Sequence, residues 1–253
     1  MKILKNNNRT STLVAISVAL TAIASIVHAA PVALQNATAT FSQTYSSDFS
    51  VGRAINGTFV ENLGWSVYEP TSATTSAQTA VFETTANVGF AGGSLLTFKL
   101  YQTHGIDFAM HTLGRFRLSV TTDNRSLFAD GLATGGDVTA NWTVLNPSTF
   151  VSSDGATLNK LGDFSILASG LSPDFDTYTV TAPTTLTGIT GIRLEALDDP
   201  SLPFNGPGRQ QDNGNFELSE FTVDITAVPE PNTLTLLSVL SVVIATARRK
   251  NQQ

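Results

Sequence analysis

The chain has 253 residues and a formal net charge of -6. Six of its 14 Lys and Arg residues, Lys2, Lys5, Arg9, Arg248, Arg249 and Lys250, sit at the two ends, so the middle is distinctly acidic. A lysine-poor, acidic middle lacks the basic footprint that nucleic acid demands, and the absence of cysteine excludes disulfides, thiolate catalysis, iron-sulfur ligation and cysteine zinc sites.

At the start, Lys2, Lys5 and Arg9 precede an uncharged run from Ser11 to Val27 that closes on Val27-His28-Ala29-Ala30-Pro31. A basic segment, an apolar run and small residues at the cleavage positions make up a secretory signal peptide. Residues 1–29 are expected to leave as a signal helix, with signal peptidase cutting between Ala29 and Ala30. Val27 and Ala29 then fill the two small pockets of that enzyme, and Pro31 stays clear of the scissile bond. The alternative is an uncleaved anchor helix.

Residues 30–227 read as one all-β domain, long enough to bury a core without disulfides. Thr, Ser, Val, Phe, Gly and Asp dominate it, and no 3.6-period apolar stripe runs through it. Strands are predicted at 38–44, 64–68 and 78–84. Leu96, Phe98 and Leu100 then alternate with Thr97, Lys99 and Tyr101, and Phe116, Leu118 and Val120 with Arg117 and Ser119, as in strands with one buried face. A polar stretch over 123–137 is the place for an internal division, although no repeat supports two domains.

Further strands are predicted at 138–144, 163–168 and 176–181, and Ile192-Leu194-Ala196 alternates with Arg193 and Glu195 on a solvated face. Phe216 and Leu218 share one parity, whereas Phe221, Val223 and Ile225 share the other, so a bulge is expected near Ser219-Glu220. The closing strand before Val228 is expected to pair with the opening strand near Phe41. Short strands separated by Gly, Asn, Asp and Pro turns predict a two-sheet sandwich or jelly roll.

Trp65 and Tyr68 lie around the Asn62-Leu63-Gly64 turn, just after it, and Trp142 stands beside Asn141. Aromatic platforms with polar neighbours suit the apolar face of a sugar, although tryptophans also anchor sandwich cores. The long loop from Asp198 to Asn215 contains Arg209, whose forked donors fit a carboxylate or sugar hydroxyls, or else pair with Asp198 or Asp199 to pin the loop. Asp198, Asp199, Asp212, Asn213 and Asn215 supply hard oxygens of the kind calcium prefers, off the EF-hand spacing; Asx turns account for many of them. No catalytic motif is present. Glu195 and Asp199 are a pair of acids whose separation would have to be right for glycoside hydrolysis, and the chain is expected not to be an enzyme.

At the far end, Pro229-Glu230-Pro231 precedes a mostly apolar run from Thr233 to Ala247 and then Arg248-Arg249-Lys250. Those 15 residues as a helix span about 22 Å, short for a hydrocarbon core of roughly 30 Å unless flanking residues extend it. The basic cluster is expected on the cytoplasmic side, with the middle domain outside. Motif, short transmembrane helix and basic cluster over residues 228–250 resemble the PEP-CTERM sorting signal of bacteria that make exopolysaccharide. The resemblance implies recognition by an exosortase-like membrane protease, first at the inner membrane and then release or transfer to the surface or matrix.

The middle carries longer phrases: His111 to Thr121, Gly191 to Leu197, Pro207-Gly208-Arg209, and Asn213 to Phe221. These resemble extracellular modules abundant in Planctomycetes, which are similar to galactose-binding-like β-sandwiches, although here the Trp65 block precedes the Trp142 block, the reverse of that family. The resemblance implies carbohydrate binding. The expectation is an exported cell-envelope protein that binds exopolysaccharide noncovalently and needs no cofactor; a structural envelope protein and a polysaccharide hydrolase are the alternatives.

Overall fold

A computed structural model describes residues 28–43, 49–59, 63–73, 75–103 and 110–228. The signal segment through Val27, His104, and the sorting residues Pro229, Glu230, Pro231, Arg248, Arg249 and Lys250 lie outside these. Among the described residues all strand pairings between named strands are antiparallel. No helix among them is long and apolar enough to cross a membrane. The described residues from 28 to 228 belong to one compact unit, so the polar stretch over 123–137 is no domain boundary.

Two sheets enclose the core. The five-stranded sheet runs in the order β1 (Ala30–Pro31), β14 (Glu220–Ala227), β5 (Ser94–Gln102), β11 (Asp176–Thr184) and β8 (Thr149–Ser152). The seven-stranded sheet runs β2 (Leu34–Ala39), β4 (Gln78–Val88), β12 (Ile189–Ala196), β6 (Arg115–Thr121), β10 (Ile166–Gly170) and β9 (Ala156–Lys160), with β7 (Thr143–Val144) beside β6. A small third sheet pairs β3 (Trp65–Ser66) with β13 (Glu217–Leu218).

Period-two alternation builds this β-sandwich. Leu96, Phe98 and Leu100 of β5 and Phe221, Val223 and Ile225 of β14 point inward from one sheet. Phe116, Leu118 and Val120 of β6 and Ile192 and Leu194 of β12 meet them from the other. Rings bridge the sheets: Phe82 lies 5.2 Å from Phe221 and Phe116 lies 5.9 Å from Tyr178, centroid to centroid. Such offset pairs add to simple burial because the electron-poor edge of one ring meets the electron-rich face of another.

Three expectations are corrected. The closing strand β14 pairs with Ala30–Pro31, and the strand that leads to Phe41 belongs to the opposite sheet, because the chain crosses from one sheet edge to the other between Pro31 and Leu34. The parity change at Ser219 is a transfer between sheets: Glu217–Leu218 pairs with β3, whereas Glu220 onward pairs with β5. Ser219 itself is held at the junction, its N–H donating to Tyr101 O at 2.8 Å and its hydroxyl to Glu217 Oε1 at 2.9 Å. The polar stretch after β6 folds over the outer face of the seven-stranded sheet, where Phe128 and Trp142 cover Val81. Gly191 lies beneath it, and a Cβ there would stand 2.5 Å from the Phe128 ring.

β8, Thr149-Phe150-Val151-Ser152, shows no apolar alternation, and β9, Ala156 to Lys160, shows only the short one of Ala156 and Leu158 against Thr157 and Asn159. Each sits at the edge of its sheet and buries little. Replacing Phe221, which packs on Phe82 and Phe98 at once, by Ala is expected to lower the unfolding free energy by about 3–5 kcal/mol; urea unfolding followed by circular dichroism measures it.

Candidate functional site

The alternation that sends Phe98, Leu100 and Phe221 inward turns Lys99, Tyr101, Glu220, Thr222 and Asp224 to the outer face of the five-stranded sheet. The register sets Glu220 opposite Tyr101, Thr222 opposite Lys99, and Asp224 opposite Thr97 and Pro31. With Pro31, Val32, Leu34 and Ile55, these residues line a cleft of about 310 Å³. That volume lies at the small end of ligand pockets, matching one sugar ring rather than a large cofactor.

One wall comes from the short 3-10 turn Val51–Ile55 and the residues after it. Gly57 N–H donates to Glu220 Oε2 at 3.0 Å, tying this segment to β14. Beyond it, Phe59 is 53% exposed and stands edge-on to Tyr101, with ring centroids 4.6 Å apart and planes at 74°. An exposed phenylalanine and a half-buried tyrosine therefore border a cleft lined by an amine, hydroxyls and carboxylates.

Burial raises the Glu220 carboxyl from 4.5 to about 7, against the pull of the backbone amides of Gly57 and Thr58. Removing a carboxylate from water disfavours its charged form, and two amide donors recover only part of that loss. Near neutral pH the cleft floor thus holds a group that exchanges between hydrogen-bond donor and anion.

The residues singled out in the sequence take other places. Trp65 has no exposed surface; its indole N–H donates to Phe41 O at 3.0 Å and its ring stands edge-on to Phe216 at 5.2 Å. It is a core anchor and offers no face to a sugar. Tyr68 is half-buried. Trp142 covers the opposite sheet, with its N–H on Val138 O and Arg193 over its ring at 5.3 Å. Trp65, Trp142 and Arg209 therefore form no common platform.

Arg209 is 5% exposed and turns inward, donating from Nη2 to Gly170 O at 2.9 Å. Asp199 meets Arg115 at 3.5 Å, and its Oδ1 accepts from Ser201 N and Oγ, so the expected Arg209–aspartate pair is replaced by another. Adjacent Gly208 has no room for a side chain, since a Cβ would lie 2.0 Å from Asn215 O. The oxygens of the acidic loop also have partners. Asn213 Oδ1 accepts from Asn215 N, Asn215 Oδ1 from Val67 N, and Asp212 Oδ2 from Gln210 Nε2. Asp198 is exposed, and among the described residues no cluster of His, Asp and Glu is arranged to hold a metal ion.

Glu195, the other half of the acid pair considered above, receives Arg117 Nε and Nη2 at 2.8 and 3.0 Å and meets Arg193 at 3.1 Å. The hydrogen bonds to Glu195 raise the Arg117 pKa. Both carboxylates belong to an ion-pair ladder across β6 and β12. Sequence reading passed over Tyr101, Lys99, Glu220, Thr222 and Asp224 because their polar parity is ordinary within each strand. The signal was the concentration of reactive side chains on the outward parity of β5 and β14, meaningful only once these strands are neighbours.

No family model matches the chain, and no curated protein does. Among solved structures, a chain from a study of the multiple functions of the Streptococcus pneumoniae beta-galactosidase BgaA is similar at 13% identity and a TM-score of 0.44, over 79% of this chain and 92% of that one. Likeness of that degree says nothing of activity.

The raised Glu220 pKa fixes the sign of a pH effect. The folded state holds the proton more tightly than the unfolded chain, so this group's contribution to stability is full below about 4.5 and is lost as pH rises to about 7. Glu220→Gln is expected to remove that slope, gaining on the order of 2 kcal/mol over wild type at pH 8 relative to pH 4; urea unfolding of both proteins across this range checks it.

Proposed function

We propose that this is an exported surface or matrix protein whose β-sandwich binds polysaccharide noncovalently in the Tyr101 cleft. The observation that carries the reading is the pairing of exposed Phe59 with half-buried Tyr101 at the border of a cleft lined by Lys99, Thr222, Asp224 and Glu220. A pyranose has an apolar face rimmed by hydroxyls, which an aromatic surface and a ring of short polar side chains match together. The neighbouring outer face of the sheet continues in hydroxyls, with Thr97 beside Thr181 and Lys99 beside Thr179 in register. That gives an extended chain room to run past the cleft. The sandwich is of the galactose-binding-like, jelly-roll kind.

The sorting route belongs to the same proposal. Signal peptidase releases the chain between Ala29 and Ala30, both exposed. The PEP-CTERM tail then holds it at the inner membrane until an exosortase-like protease acts near Pro229-Glu230-Pro231. Two observations support this reading: Ala30 is the register partner of Ile225, and Val228 N–H donates to Gly93 O at 3.0 Å. The first and last strands of the described residues, β1 and β14, are thus neighbours in one sheet, close in sequence to the proposed processing sites.

A second reading, a structural envelope protein that assembles through sheet edges, is favoured by β8. This strand closes its sheet on one side and carries Val151 at 59% exposure.

Full-length protein, purified in detergent, is expected to bind one or more bacterial exopolysaccharides saturably on a glycan array. Tyr101→Ala or Lys99→Ala is expected to weaken that binding at least about tenfold, the equivalent of roughly 1.4 kcal/mol, while the far-ultraviolet circular dichroism stays unchanged. No saturable binding by a folded sample rejects the cleft reading and leaves edge assembly. In an exopolysaccharide-producing host, replacing Pro229, Glu230 and Pro231 together by Ala is expected to leave the tail uncleaved and the protein in the inner membrane; immunoblotting of fractionated cells distinguishes this from release.

A further inference from the structure

Between the end of β11 and the segment that begins with β7, the surface opens into a groove of about 530 Å³ that shares no lining residue with the Tyr101 cleft. One wall is Thr143 to Asn146 and the other Pro183 to Leu186, and Gly92, Gly93 and Val228 complete it. β7 belongs to the seven-stranded sheet and β11 to the five-stranded one, so the groove lies along the seam between them. Its walls are largely apolar. The outward parity of β11 carries Thr177, Thr179 and Thr181 and then turns apolar at exposed Pro183. Half-buried Val144 and Leu186 follow, together with Leu145 of the core, and Val228 is 40% exposed, tied in place by its N–H on Gly93 O at 3.0 Å.

A cation stands beside this apolar surface. Lys160, the last residue of β9, donates from Nζ to Asn146 Oδ1 at 2.8 Å and to Pro147 O at 2.9 Å, so its charge is held against a residue that lines the groove. Both acceptors are neutral, and among the described residues no carboxylate lies within ion-pair distance of Lys160. An ammonium has three donors, so one remains after these two bonds. The lining itself contains no carboxylate, so an anion placed there meets no like charge from it.

We propose that this groove binds the alkyl chain of a single fatty acid, with the carboxylate on Lys160 Nζ. Covering apolar surface with a chain that has no hydrogen-bonding groups removes both surfaces from water, and a charged head at its end accepts from the remaining ammonium donor. A sugar fits less well, since its rim of hydroxyls finds few partners: the polar side chains of the lining are Thr143, Asn146, Thr184 and Thr185, and Thr184 Oγ1 already accepts from Leu186 N at 3.2 Å. The volume falls within the range of small-ligand sites and suits one chain, whereas a phospholipid brings two. The site uses different strands from the Tyr101 cleft and stands or falls independently of polysaccharide binding there.

The test photolabels the full-length protein, held in nanodiscs of uncharged phospholipid, with a diazirine analogue of palmitic acid in mildly alkaline buffer, where the acid is ionised. Mass spectrometry of the labelled peptides is expected to place the label on residues 143–146 and 183–186, with saturation and with displacement by unlabelled palmitate. Hexadecanol, the same chain without the charge, is expected to displace the label about threefold less well, the scale of an exposed ion pair. Lys160→Met is expected to remove that preference and Lys160→Arg to keep it. Thr185→Trp, at an exposed position, is expected to block labelling while the circular dichroism spectrum stays unchanged. Label spread over the domain without enrichment in these peptides overturns the proposal. So does equal displacement by acid and alcohol in the wild type, or a phosphatidylglycerol analogue that labels the groove as well as the fatty acid does.

Discussion

Between Leu218 and Glu220 the chain stops pairing with β3 and joins β5, and this transfer sets the positions of the groups around it. Before it, Phe216 packs against Trp65; after it, Phe221 packs on Phe82 and Phe98. Period-two geometry would otherwise turn one of these aromatic sets into solvent. Ser219 makes the transfer possible by satisfying backbone and side-chain groups on both sides: it donates to Tyr101 O and Glu217 Oε1 and accepts from Thr103 N and Oγ1. Because the parity changes there, Glu220 faces outward beside Tyr101, and the cleft exists.

The two faces of β5 then carry opposite duties. Its inward side fuses the sheets through aliphatic and aromatic packing, which makes the strand rigid and holds Lys99 and Tyr101 in fixed register with Thr222 and Glu220. A site displayed on such a strand loses little conformational freedom on binding. The seven-stranded sheet treats its outer face differently: Arg115, Arg117, Arg193, Asp163 and Glu195 form a ladder of ion pairs, and the segment through Phe128 and Trp142 covers the rest. Charged groups there are spent on one another, whereas those beside Tyr101 line an open cleft.

The tryptophans show why residue type is a poor guide to position in a β-sandwich. Trp65 and Trp142 both present a large ring with one polar atom, and both send that N–H to a backbone carbonyl. One lies wholly inside and the other lies beneath Arg193. Arg209 is a similar case, since a guanidinium in a Gly-rich, Asp-rich loop looks like a surface clamp, yet Gly208 lets the loop close so tightly that the side chain is carried inward.

The sequence alone determined the all-β class, the inward parities of β5, β6, β12 and β14, and the change of parity at Ser219, because alternation is a local property that each strand carries in its own residues. The edge strands β8 and β9 escaped it, since each is only four or five residues long and carries just two apolar residues. Only the tertiary structure decided which strands are neighbours, and so that Tyr101, Glu220 and Asp224 share a cleft while Trp65 and Arg209 lie buried. Neighbour relations arise from how the whole chain buries its apolar faces against two sheets at once, and no single segment encodes them.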